Sequence, residues 1–328
     1  MDFSKRLKPV AKHSIFDLPN GEYIVWCGAI TKADDGLFYL YFSFWPKHTT
    51  GSGWLTHSQI GYATSESPTG PFTYGGIALA GAGGAEWDRD CVHNPAILKL
   101  DGVYYLYYMG NYGDGEYWNH RNHQRIGVAY SDNPKGPFKR FDKPVIDVTD
   151  GSFDGLMTSN PTVCVGPDKK IYMMYKAVSQ DGEMPKGGDV ICGMAVAEHP
   201  LGEFVKRNEP ILQNPEYSWS VEDPFLWYED GRFYAIAKDF NGTFTNSDPG
   251  TVALFESEDG FDWHLCEEHP LACKKEILWE DGSVLKLNKM ERPQMWLDET
   301  GKPSVLSCAC QYFDNGEELT FNVQFAVE

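Results

Sequence analysis

Short apolar runs broken by polar turns follow one another along the whole chain, and the same pattern returns at intervals of 60–70 residues. Asn94-Pro95-Ala96-Ile97-Leu98 passes through Asp101-Gly102 into Val103-Tyr104-Tyr105-Leu106-Tyr107. Glu222-Asp223-Pro224-Phe225-Leu226 passes in the same way through Asp230-Gly231 into Arg232-Phe233-Tyr234. Each unit opens on a dipeptide: Trp26-Cys27, His93-Asn94, Ser159-Asn160, Glu222-Asp223 and Glu291-Arg292. Proline follows in four of them and Gly28 in the first. Third strands repeat too (Ile60–Ser65, Ile126–Ser131, Ile191–Ala197), each leading into a Pro- and Gly-containing turn such as Asn133-Pro134-Lys135-Gly136-Pro137-Phe138. No segment of convincing length has a helical period. A repeat of this length made of short strands predicts propeller blades.

The expected fold is therefore all-β: a single-domain, five-bladed β-propeller spanning 1–328, with blades near 26–80, 93–148, 159–212, 222–278 and 291–328. Blade 5 runs out of chain before a fourth strand, and the segment before Trp26 is expected to complete it. Alternating strand direction puts the second-to-third-strand loops on the rim that carries the dipeptides. Those loops, 45–57, 111–124, 179–189 and 239–250, are the long ones, where binding groups concentrate. They bring His48, His57, His120 and His123 to the face that also holds His93.

Composition narrows the function. With 14 % aromatic residues, 33 Gly and 20 Pro among 328, the chain suits short strands and tight turns. Its net charge of −19 speaks against nucleic acid as a partner. It also disfavours polyanionic substrates, unless a locally basic pocket evades the global sign. No apolar run is long enough for a membrane span, so no membrane partner is expected. No secretory leader is visible, which places the protein in the cytoplasm, or in the periplasm if a leader has been removed. The eight Cys fit no metal or redox spacing and read as buried free thiols. His120 and His123 lie in a loop without helical ligand geometry, so neither a metal nor a cofactor is expected.

The five-fold pattern, the Gly-Pro-Phe turns and Glu222-Asp223-Pro224-Phe225-Leu226-Trp227-Tyr228 together resemble the five-bladed propeller glycosidases, glycoside hydrolase family 43 and relatives such as family 117. The resemblance covers nearly the whole chain. It implies two carboxyl groups flanking a glycosidic bond, one as acid and one as base. The family's blade 4 Glu, two before the proline, falls on Glu222. Its blade 1 and blade 3 Asp positions are Cys27 and Asn160 here, so the usual base is missing. The catalytic candidates are then Glu222, Asp223 and Glu291, with Glu222 or Asp223 as acid and Glu291 as base or its modulator.

Substrate-binding candidates are Trp26, Asp90, His93, Asn94, Asn160, Lys176, Lys238 and Arg292. Lys176 and Lys238 end their second strands at the rim, and Trp26 offers a stacking face. The asparagines suit sugar hydroxyls, and suit equally well the task of holding the blades together. Asp88 and Asp154 recur in register, six residues before Asn94 and Asn160, and read as structural pins; Asp90 has no such counterpart and could replace the missing base. The leading expectation is an exo-acting hydrolase of small oligosaccharides. Alternatives are a family-130-like phosphorylase, in which Arg292 and the lysines bind phosphate, a non-catalytic carbohydrate-binding propeller, and, more distantly, a polysaccharide lyase. Oligomeric state is left open.

Overall fold

The computed structural model describes residues 1–328, with side chains at all positions but 50 and 51. Five antiparallel sheets follow one another along the chain. Blade 1 is Tyr23–Lys32, Phe38–Pro46, Gln59–Ser65 and Thr73–Leu79. Blade 2 is Cys91–Leu100, Val103–Asn111, Arg125–Ser131 and Lys139–Arg140. Blade 3 is Met157–Val165, Ile171–Val178, Ile191–Ala197 and Val205–Lys206. Blade 4 is Val221–Glu229, Arg232–Asp239, Thr251–Ser257 and His264–Leu265, and Leu271–Cys273 also pairs with its third strand. Blade 5 is Lys289–Leu297, Pro303–Asp314 and Glu317–Ala326.

The outermost strand of blade 5 comes from the other end of the chain. Ile15 and Phe16 pair antiparallel with Val323 and Asn322. One sheet thus holds both chain ends and closes the ring without a seam of unpaired backbone. Glu276–Leu278 pairs with Val284–Lys286 in a hairpin off the blades, so the blade 4 sheet stops at Cys273, short of position 278.

Local chemistry explains the strands and their turns. Second strands such as Phe38–Pro46 are apolar on both faces because neighbouring blades cover both. Asp101-Gly102 and Asp230-Gly231 both carry positive φ at each residue, the backbone of a two-residue hairpin loop matched to strand twist. Asp88 accepts from Tyr108 Oη at 2.7 Å and Arg140 Nε at 2.9 Å; Asp154 accepts from Tyr175 Oη at 3.1 Å and Lys206 Nζ at 2.6 Å. Each of these aspartates pins the second strand of its own blade to the fourth.

Phe16 is 2 % exposed and meets Phe42 edge-on at 4.7 Å and Phe72 at 6.5 Å. Truncating such a ring costs about 3–5 kcal/mol. Phe16→Ala should lower stability by that amount in urea unfolding. A loss below about 1 kcal/mol would mean that the N-terminal strand does not fasten the ring.

Candidate active site

Five residues, one from the head of each innermost strand, adopt the left-handed conformation: Cys27 (φ 54°), Asn94 (54°), Asn160 (50°), Asp223 (56°) and Arg292 (51°). They are the second members of the five repeated dipeptides. Strand pairing slips at each of them, between Trp26 and Gly28, His93 and Ala96, Ser159 and Thr162, Glu222 and Phe225, and Glu291 and Gln294. Proline follows four, where no ladder N–H is called for. In blade 1 the follower is Gly28, whose added Cβ would stand 2.6 Å from Ser307 Oγ of blade 5. Left-handed backbone costs a non-glycine residue about 1–3 kcal/mol and persists only where the surroundings hold it.

What holds it is a chain of hydrogen bonds running from blade to blade. Cys27 Sγ donates to Asn94 Oδ1 at 2.7 Å, Asn94 Nδ2 to Asn160 Oδ1 at 2.5 Å, and Asn160 Nδ2 to Asp223 Oδ1 at 2.5 Å. The Arg292 backbone N–H donates to Asp223 Oδ2 at 3.2 Å, and its Nη1 lies 3.8 Å from Asp223 Oδ1. Asp223 is 3 % and Arg292 1 % exposed. The two asparagines and Arg292, expected as sugar-binding groups, are therefore occupied in knitting the blades together.

The first members of the dipeptides form a second tier. Glu222 lies across the strand pair from Lys238, as Ser159 does from Lys176. Lys176 Nζ reaches Glu222 Oε2 at 2.8 Å, and Lys238 Nζ reaches Glu222 Oε1 at 3.1 Å and Glu291 Oε1 at 2.5 Å. The structure thus brings Glu222, Asp223, Glu291, Lys176, Lys238 and Arg292 into one cluster drawn from blades 3, 4 and 5.

Adjacent carboxyls are driven apart in protonation. Burial alone would raise Glu222, but Lys176 and Lys238 outweigh it and bring the group down to about 2. Asp223 is pushed up to about 7 by burial and by the charge of Glu222, with Arg292 pulling the other way. Burial would lower Lys238, yet Glu222 and Glu291 hold it above its ordinary value. The two ammonium groups thus favour the ionised form of Glu222.

The blade 1 and 2 side is aromatic and neutral. His93 is buried between Trp45 and Trp54, ring centroids 5.4 and 5.5 Å away, with Nδ1 2.8 Å from Ser58 Oγ. Burial takes it down to about 3, so it is uncharged. Trp26 packs in the same aromatic group as Trp45 and Trp54. Asp90 contacts none of the Glu222 cluster. It accepts from Gly113 N–H at 2.8 Å and lines a cleft of about 720 Å³ with Arg89, His48, His57 and His120. The loop holding His120 contains a helical turn, Tyr117–Asn122. Both His120 nitrogens are engaged, Nε2 by Gly115 N–H and Nδ1 by Asn111 Oδ1. Among the described residues no group of three or more His, Cys, Asp or Glu is placed to hold a metal ion. All eight Cys are free and buried.

Two residues near these groups had no mark in the sequence. Ser58 pairs with His93 from the blade 1 loop. Arg121, from helix Tyr117–Asn122, is 4 % exposed and close enough to Glu222 to feel its charge. Within a loop of polar residues neither type nor spacing distinguishes it.

Solved structures with this architecture include a family 117 glycoside hydrolase produced by the marine bacterium Zobellia galactanivorans. It is 20 % identical, with a TM-score of 0.66 over 98 % of this chain and 89 % of that one. A thermostable family-43 glycoside hydrolase is 15 % identical, with a TM-score of 0.61 over 96 % of this chain and 95 % of that one. The native arabinanase of Bacillus subtilis is 14 % identical, with a TM-score of 0.63 over 94 % and 96 %. At these identities the likeness is one of fold, and at that level the resemblance to families 43 and 117 holds. The sucrose-6-phosphate hydrolase of Klebsiella pneumoniae is 33 % identical over 87 residues, a stretch covering 26 % of this chain and only 18 % of that protein. Residues 149–316, just over half the chain and including Asn160, Lys176, Glu222, Asp223, Lys238 and Glu291, match the family model described as the N-terminal domain of glycosyl hydrolases family 32, and the chain belongs to that family.

Proposed function

We propose that this protein hydrolyses glycosidic bonds in small oligosaccharides at the axial mouth of the propeller. The observation that carries the reading is the gathering of Glu222, Asp223 and Glu291 at one mouth, where Lys176 and Lys238 draw Glu222 down while burial and the charge of Glu222 push Asp223 up. Groups pushed apart in this way divide the roles of base and acid at one pH. Glu222 is the ionised base. Asp223 keeps its proton into the neutral range and is the acid. Glu291 shares Lys238 with Glu222 and tunes its charge. Membership of a glycosyl hydrolase family supports the reaction class, and long loops above the rim favour an exo-acting pocket.

A phosphorylase needs cations for its phosphate. Lys176 and Lys238 are already bound to carboxylates and Arg292 is sealed in the axis. Membership of a glycosyl hydrolase family favours hydrolysis by water over phosphorolysis. A non-catalytic binding module would have no use for the split protonation of the pair.

Glu222→Gln should cut turnover on a cleaved oligosaccharide by about a hundredfold or more, with the circular dichroism spectrum unchanged. Unaltered turnover would remove Glu222 from the mechanism. The pH profile gives a second check. Activity needs Glu222 ionised and Asp223 protonated, so kcat/KM should fall as pH rises through about 7, without an acid limb near pH 4–5. Stability follows the same sign for Asp223. Its folded-state value lies above its ordinary one, so its contribution is complete below about pH 4 and lost as pH rises through 7. A rate that instead climbs from pH 6 to 8 would contradict the acid role.

A further inference from the structure

One cation at the mouth lacks a counter-charge from the chain. Arg121 is 4 % exposed, yet its Nη1 donates only to neutral acceptors, the Lys186 carbonyl and Asn122 Oδ1, both at 3.0 Å. Among the described residues no carboxylate forms a salt bridge with it, and Nε and Nη2 have no hydrogen-bond partner. Its guanidinium stands 5.6 Å from the centre of the Trp118 ring. The other buried or half-buried cations of the site and its pins differ. Lys176 and Lys238 hold Glu222, Arg140 holds Asp88 and Lys206 holds Asp154; Arg292 has Asp223 as its counter-charge at 3.8 Å, although its Nε and Nη1 lack hydrogen-bond partners.

Most of the Arg121 side chain is buried while its unpartnered Nε and Nη2 are not sealed off, and arginine cannot shed its charge by losing a proton. Glu222, the nearest candidate partner, is already occupied by two lysines at 2.8 and 3.1 Å. Counted together, Arg121, Lys176 and Lys238 carry three positive charges against the two negative charges of Glu222 and Glu291, so this tier carries one positive charge in excess. That sign is opposite to the −19 of the whole chain. The vacant edge of Arg121, Nε with Nη2, is the fork that takes two oxygens of one oxyanion through parallel N–H bonds.

We propose that Arg121 is a substrate-binding residue that receives the carboxylate, sulfate or phosphate group of an acidic sugar, with Trp118 beside the sugar ring. This assignment rests on the axial mouth being the carbohydrate site. It gives the substrate one negative charge where the chain leaves one positive charge unmatched, and makes this the locally basic pocket that evades the global sign of the surface.

The test is isothermal titration of the intact protein with glucose, glucuronate, glucose 6-sulfate and glucose 6-phosphate at low salt. At least one of the acidic sugars should bind about tenfold or more tightly than glucose, and the acid that does so identifies the oxyanion. Added salt should shrink the advantage, and Arg121→Met should abolish it. Arg121→Met is expected to keep its melting temperature, since it removes an unpaired charge. If that variant fails to fold, Arg121→Lys keeps the charge but loses the fork, and should retain only part of the preference. Equal or undetectable affinity of the wild type for all four sugars overturns the assignment, as does a preference unchanged in Arg121→Met. Hydrolysis of neutral glycosides without acid preference would leave the glycosidase reading standing and sink this one. Acid preference without any hydrolysis would do the reverse.

Discussion

Five left-handed residues at the heads of five strands are the constraint on which the site depends. Each breaks the ladder at its own bulge and turns a side chain to the axis, where it meets the next blade's. Strained backbone at one blade is held by a hydrogen bond to another, so the conformation exists only in the assembled ring. The residue before each bulge is thereby set at the mouth. Scaffold and candidate chemistry share the same five dipeptides, and Asp223 belongs to both.

Above that ring, burial and pairing decide the charges. Glu222 meets two ammonium groups that favour its ionised form, whereas burial and the charge of Glu222 push Asp223, one residue on, upward against the pull of Arg292. Lys238 joins Glu222 to Glu291. Removing one partner from such a buried network leaves the other uncompensated, a loss of about 3–5 kcal/mol. The cluster thus couples stability to the charge distribution at the mouth. The acidic surface of the molecule says little about that distribution, because the mouth is set by a handful of buried groups.

Much of this was legible in the sequence because it is periodic. The dipeptides, the Asp-Gly hairpins and the paired pins Asp88 and Asp154 repeat in register, and repetition converts directly into equivalent places around an axis. The convergence of Glu222, Asp223 and Glu291 follows from the same periodicity. The left-handed backbone was not legible as a shared feature, since Asn and Asp favour it but Cys27 and Arg292 have no such preference. Asn94 and Asn160 read equally as binding groups and as blade links, and the structure shows their side chains linking the blades. Arg121 and Ser58 lie in loops that do not repeat, and Asp90 lies in the blade 1 and 2 cleft. The acid role of Glu222 could not be judged without the two lysines that meet it in space.

The division of protons between Glu222 and Asp223 is the centre of the account, and neutron diffraction from a deuterium-exchanged crystal near pH 6 reads it directly. Nuclear density for a deuteron on an Asp223 carboxyl oxygen, with both Glu222 oxygens bare and Lys176 and Lys238 carrying three deuterons each, is the expected result. A bare Asp223, or a deuteron found on Glu222, would contradict it.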